Sequence, residues 1–156
     1  MRINLTFSIE PYQALFAQGI NVRVIRLKGS VQFWTGSDWT AESEAIIDSG
    51  SPVSLLPLSA WQAIEADILS SPIPLRGLAP QRGATVTGRL AEITATFIDG
   101  ENTAPPLVMR AYLVDTDRVP LLIGFEDVLT ACLLVSDFPN EIAYLEFAEE
   151  SLIETK

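Results

Sequence analysis

Apolar and polar residues alternate along much of the chain, which is the pattern of half-buried β-strands. The first such stretch covers residues 2–10, and a second at residues 22–27 is broken by Gly29. Further stretches of this kind occupy residues 31–34, 39–47, 85–98, 107–114, 121–123 and 142–147. Because the strands are short and turn residues separate them, the pattern predicts an all-β domain.

Three stretches depart from this alternation. At residues 57–69 the apolar side chains recur every three to four positions, which predicts a helix with Pro57 in its first turn. Residues 125–134 fit a second, shorter helix. Residues 71–83 carry three prolines and two glycines, which is typical of a long loop or a hairpin arm.

Length and composition place the chain among globular proteins with one domain. The 156 residues are 48% apolar and 19% charged, and a single domain at residues 1–156 can bury a core of its own. Ten basic and 20 acidic residues give a net charge of -10, which argues against nucleic acids and anionic membranes as partners. With neither a signal peptide nor a long apolar run, we expect a cytoplasmic protein without a membrane segment.

The chain contains no histidine, and its one cysteine is Cys132. This excludes Ser–His and Cys–His hydrolases and argues against a zinc site. Cys132 lies in an apolar stretch without nearby basic residues, so a buried, inert thiol is expected. Hydrolytic chemistry would have to come from carboxylates, Lys or Tyr, and no metal or cofactor is expected.

Residues 45–51 read Ala-Ile-Ile-Asp-Ser-Gly-Ser and place an acid at the end of an apolar strand. Gly50 permits a tight turn and the close approach of another backbone. The Ser49 hydroxyl can lock the turn by hydrogen bonding. The Asp48 carboxylate would then project from a rigid loop, as catalysis requires, although Asp-Ser-Gly is also an ordinary turn sequence.

A second segment strengthens the catalytic interpretation. Residues 119–124 read Val-Pro-Leu-Leu-Ile-Gly, and a predicted short helix follows them. Together with Asp48, Ser49, Gly50 and Ser51, this segment resembles the signature of the retropepsin-like aspartic proteases over residues 44–147. The resemblance implies a single-domain acid protease fold, a closed, β-barrel-like structure with a flap hairpin and one or two short helices.

The resemblance also implies a function, hydrolysis of peptide or protein substrates by a water held between two aspartates that share one proton. This chain has one such motif, so the second Asp48 must come from a second copy in a homodimer. By resemblance, Ser49 reaches the partner's loop, while a local turn hydrogen bond remains the alternative. Ile123 and Gly124 would pack behind the catalytic loop.

The family's flap falls at residues 76–88, where Gly77 and Gly83 would give mobility. An exposed loop is the alternative for this segment. The sequence departs from the family at Pro52, where retroviral enzymes carry an acid that grips the substrate backbone. It departs again at Phe125 and Glu126, where many relatives have a basic or polar residue and then Asp or Asn.

Two other functions remain open for the sequence. One is a catalytically inactive dimerisation or peptide-binding module with the retropepsin-like fold. The other is an unrelated β-barrel binding domain in which the Asp48 motif is accidental. The intact Asp-Ser-Gly favours the enzyme over the first, and the coincident Leu-Ile-Gly segment disfavours the second.

Overall fold

The computed structural model describes residues 1–76 and 85–149. Its twelve strands within these residues are β1 Arg2–Asn4, β2 Thr6–Pro11, β3 Arg23–Phe33, β4 Ser43–Ile47, β5 Ser54–Leu56, β6 Ala66–Ile68, β7 Ile73–Leu75, β8 Val86–Ile98, β9 Leu107–Val114, β10 Leu122–Ile123, β11 Cys132–Asp137 and β12 Ile142–Phe147. In the same residues, helical structure is limited to α1 Gln13–Phe16, α2 Leu58–Trp61 and a 3₁₀ turn at Leu129–Ala131. The all-β class predicted from the alternation is confirmed.

Nine of the strands form one large sheet in the order β2-β3-β4-β10-β5-β9-β8-β6, and β7 pairs with β8 beside this path. The long strand β3 pairs with both β4 and β8. Because β8 stands near the far end of the strand order, this second pairing closes the sheet on itself. The closed part of the sheet therefore consists of β3, β4, β10, β5, β9 and β8.

Two pairings in this sheet are parallel, and one of them positions the Asp48 loop. In the β4–β10 pair, Ile46 lies opposite Leu122 and Ile47 lies opposite Ile123. The second parallel pair joins β5 to β9. Because parallel strands end on the same side, the loops that leave β4 and β10 emerge next to each other.

A smaller sheet, β1-β12-β11, covers one end of the core. Its inner face contributes Ile3 and Leu145, which are both fully buried. Phe147 stacks on Phe97 from β8 with ring centroids 5.6 Å apart, which joins the two sheets. Burial of these large apolar side chains is the main force that holds the sheets together.

The expected break at Gly29 is wrong, because β3 continues through this residue. A β-carbon at position 29 would lie 2.9 Å from Leu5 Cδ2, so glycine here makes room for a core side chain. The strand stays intact because its partners overlap at this point. β2 pairs with β3 as far as Lys28, β4 pairs with residues 27–31, and β8 pairs with residues 30–33.

The two predicted helices are largely wrong. At residues 57–69 the helix ends at Trp61, and the chain then forms β6, which pairs with β8. The apolar residues at helical spacing do not form one buried helix face, because Trp61 and Ile64 pack on the core while Leu69 is exposed. At residues 125–134 the chain forms turns, the 3₁₀ turn and the start of β11, since β12 offers a full-length antiparallel partner.

Candidate active site

Asp48 stands one residue beyond the end of β4 and is half-buried. Its backbone N–H donates to the Ile123 carbonyl at 2.9 Å, which extends the β4–β10 pairing to Asp48 itself. The preceding residue, Ile47, is anchored in the core. The carboxylate therefore projects from a backbone that is fixed on one side by the core and on the other by β10.

The turn after Asp48 is closed by hydrogen bonds within the loop. The Gly50 N–H donates to Asp48 Oδ1 at 2.8 Å, and the Ser51 N–H donates to the Asp48 carbonyl at 3.2 Å. Ser51 Oγ donates to the Val53 carbonyl at 2.7 Å. These bonds orient one carboxylate oxygen toward the loop and leave the other available.

Ser49 is exposed at the tip of this turn. Among the described residues the Ser49 hydroxyl forms no hydrogen bond, so the local bond proposed as one alternative is not seen there. Its contact with a partner's loop stays a prediction. Gly50 is also exposed, so the whole tip of the turn is open to a second molecule.

Gly124 lies directly behind the Asp48 loop and is buried. A β-carbon at this position would lie 2.5 Å from the Ser51 carbonyl oxygen and 2.9 Å from the Val53 carbonyl carbon. Its N–H donates to Ser54 Oγ at 3.0 Å, and Ser54 is fully buried. The two loops therefore touch through backbone atoms, which only glycine permits at this position. Ile123 before it is fully buried, so both residues lie where the sequence predicted structural support.

The contact between the two loops continues for two more residues. Phe125 N–H donates to the Ser51 carbonyl and Glu126 N–H donates to the Pro52 carbonyl, each at 3.0 Å. The segment after Gly124 is thus hydrogen-bonded to the segment after Gly50 residue by residue. Position 52 is Pro and therefore offers no side-chain acid. Its carbonyl fixes the loop by accepting the Glu126 N–H.

Asp127, at the end of this segment, is held by Arg110 of β9. Arg110 donates from Nε to Asp127 Oδ2 at 2.8 Å and from a terminal nitrogen to Oδ1 at 3.0 Å. The Arg110 backbone N–H adds a third bond at 2.9 Å, and Glu126 accepts from the same guanidinium. The side-chain bond from Arg110 lowers the pKa of Asp127, and the carboxylate raises the pKa of Arg110. This pair fixes Asp127 in a left-handed conformation with φ of 65°.

Arg110→Met is expected to lower the melting temperature by a few degrees at neutral pH, because it removes the two side-chain bonds to Asp127. A carboxylate whose pKa is lowered by folding stabilises the protein above its ordinary pKa, and this contribution disappears as the pH falls through the lowered value. The difference between parent and variant should therefore stay constant above about pH 5 and shrink as the pH falls from about 4 to about 2. Thermal melts across this range measure it.

Arg2→Met is the matched control for this experiment. Arg2 pairs with Glu146 at 3.3 Å on the surface, and both side chains are well exposed. Such pairs contribute little, so the control should melt within about 1 °C of the parent. An Arg110→Met difference that stays constant across the pH range would contradict a role for the Asp127 carboxylate.

An open cleft of about 440 Å³ lies beside the Asp48 carboxylate. One wall is the polar face of the β2–β3 hairpin, and the floor is formed by β4 and β10. The residues that line it are Ser8, Glu10, Arg26, Lys28, Ile46, Asp48, Pro120 and Leu122. The cleft thus combines two carboxylates, two cationic side chains and an apolar floor.

Gly77 and Gly83 of the predicted flap lie outside the described residues. The strands on either side of this segment are described, and they are antiparallel partners, with Ile73 opposite Gly88 and Leu75 opposite Val86. The chain therefore enters this segment from β7 and leaves it into β8, and these two strands are paired. The flap itself stays a prediction.

Several residues around the site were missed by the sequence analysis. Ser54 could have been noticed as a hydroxyl inside an otherwise apolar run that becomes a buried strand. Arg26 and Lys28 alternate with apolar residues of β3. This alternation indicates that the two side chains share one face of the strand, but it does not indicate which residues lie beside that face. The pairing of Arg110 with Asp127 had no local signal, because the partners belong to different elements.

Comparison with known proteins leaves the chain without an assigned family. No protein-family model matches it, and none of the curated protein sequences does so significantly. Within residues 1–76 and 85–149, no helix has the length and apolar character needed to cross a membrane.

Proposed function

We propose that the chain is one half of a homodimeric aspartic endopeptidase of the retropepsin-like type, in which two Asp48 carboxylates activate a water. The observation that carries this proposal is the fixed Asp48 loop. It is anchored by the Ile123 carbonyl, closed on itself through Gly50, and supported from behind by the backbone of Gly124. A general base must be held in this way for its carboxylate to meet water and substrate in a reproducible geometry.

The proposed chemistry needs only groups that this chain supplies. One Asp48 carboxylate would take a proton from the water as it attacks the scissile carbonyl. The second, protonated, Asp48 would donate a hydrogen bond to the carbonyl oxygen as negative charge develops there. The proton that the base receives is then available to the leaving amine. The absence of histidine is compatible with this scheme, since neither step uses an imidazole.

The need for two copies follows from the single motif and from the exposed turn. None of the other aspartates is followed by a hydroxyl residue and glycine. Ser49 and Gly50 are exposed, and Phe125, whose N–H is bonded to Ser51, leaves 44% of its surface accessible. A two-fold axis next to this turn would bring both Asp48 loops together and cover the aromatic ring.

The experiment that tests the proposal measures association and activity in the same samples. We expect sedimentation to show a dimer at about 50 µM protein, and specific activity on a peptide library to fall as dilution dissociates it. Cleavage products are identified by mass spectrometry between about pH 3 and pH 8, which brackets the titration of a shared-proton pair.

Two results would count against the proposal. Activity that is constant per chain, in samples that contain only monomer, would contradict the two-copy site. A dimer that cleaves nothing across the pH range would favour the alternative of an inactive dimerisation or peptide-binding module.

A further inference from the structure

Arg26 stands directly across from the proposed catalytic residue. The antiparallel β3–β4 ladder ends with Leu27 opposite Ile47, and continuing its register by one residue places Arg26 opposite Asp48. Residues that face each other across such a pair point to the same side of the sheet. Arg26 and Asp48 accordingly line the same cleft, and Ser8, the partner of Arg26 on β2, lines it as well.

The charges in this cleft leave the Arg26 guanidinium without an anionic partner. Lys28 is paired with Glu44 at 2.9 Å. The remaining carboxylates of the lining are Glu10 and Asp48, and neither lies within ion-pair distance of Arg26. Within the described residues Arg26 forms no side-chain hydrogen bond, and it is exposed to the cleft.

The Arg26 cation belongs to a strongly acidic protein. The chain as a whole carries a net charge of -10, so its general field repels anionic peptides. A guanidinium presents a planar set of donors that matches a carboxylate with two parallel hydrogen bonds. An acidic side chain could therefore be accepted at this point of the cleft.

We propose that Arg26 binds an acidic side chain of the substrate, so that the enzyme prefers peptides with glutamate or aspartate close to the scissile bond. This inference rests on the proposed endopeptidase function, and it names the substrate class of the same cleft. Arg26 acts as a specificity-determining residue: it contacts the substrate and takes no part in bond cleavage.

The test uses the dimer of the 156-residue chain and one peptide found to be cleaved in a library. Versions of this peptide carry Glu, Gln or Lys at each position flanking the scissile bond. We expect the parent to prefer Glu over Gln at one position by roughly fivefold in kcat/KM, as a solvent-accessible ion pair allows. Arg26→Gln should bring this ratio close to one, and Arg26→Glu should favour Lys at the same position. The parent's preference should also weaken between about 0.05 M and 0.5 M salt.

Arg23→Gln is the matched control, because Arg23 lies on the same strand but lines a different groove with Ile25 and Phe138. Its variant should keep the parent's Glu/Gln ratio. The inference is overturned if the parent shows no acid preference, or if Arg26→Gln retains it. It is also overturned if Arg26→Gln weakens the dimer and leaves the ratio intact, since Arg26 would then serve the subunit contact. If the parent cleaves no peptide at all, the proposed function fails first and the inference falls with it.

Discussion

Asp48→Asn is expected to abolish peptide cleavage while the dimer stays folded. The amide has nearly the shape of the carboxylate, and its oxygen can still accept the Gly50 N–H bond that closes the loop. It cannot take a proton from water or share one with its partner, so the general base and the polarising acid disappear together. We expect kcat to fall by about 10³-fold or more. Cleavage is measured on the peptide identified for the parent, at its optimal pH.

The control for this loss is Asp67→Asn, because Asp67 is exposed on β6 and makes no side-chain hydrogen bond among the described residues. This variant should cleave like the parent. Sedimentation and thermal melts of Asp48→Asn should show an intact dimer with equal or higher stability, since the two carboxyl groups that the proposed dimer brings together become neutral amides. Equal cleavage by Asp48→Asn and the parent would disprove the two-aspartate mechanism.

Gly124→Ala is expected to cause the second large effect. The added methyl carbon would lie 2.5 Å from the Ser51 carbonyl oxygen and 3.0 Å from the Val53 carbonyl oxygen. Both contacts are with backbone, so the Asp48 loop must move to relieve them. We expect a loss of about 1 to 3 kcal/mol in the free energy of unfolding, as overpacked sites show. Activity should fall further than stability alone explains, because the displaced loop carries the proposed base.

Gly100→Ala provides the comparison for position 124. No atom lies within 4 Å of the β-carbon that it would add, and its φ is not in the left-handed region. Denaturant unfolding and peptide cleavage should be close to those of the parent. If Gly124→Ala behaved like Gly100→Ala in both measurements, the close packing of the two loops would not matter for the site.

Local patterns predicted the strands better than they predicted the helices. The alternation at Leu107–Val114 and Ile142–Phe147 corresponds to β9 and β12 with the same bounds. The failures occurred where a distant partner decided the structure. Gly29 stays in a strand because three other strands pair with β3, and β11 forms because β12 lies beside it.

The contrast between local patterns and distant partners also holds for the site. Asp48 and Gly124 stood out because each lies in a short motif with a recognisable turn residue. The ion pair of Arg110 with Asp127 and the position of Arg26 beside Asp48 depend on contacts between separate elements, which no local pattern of a single sequence encodes. Asp127 illustrates the limit, because it reads as a helix residue and is held in a left-handed turn by a side chain from β9.

The parallel pairing of β4 with β10 has a consequence for the order in which the protein is made. On the ribosome, β4 and the Asp48 that follows it emerge long before the segment that ends at Gly124. Until that later segment is available, Asp48 has no Ile123 carbonyl to bond and the turn behind it has no backbone support. Closing such a long stretch of chain also costs entropy that local hairpins such as β8–β9 do not incur. A nascent chain therefore lacks the supported Asp48 loop until nearly all of the described fold has been synthesised.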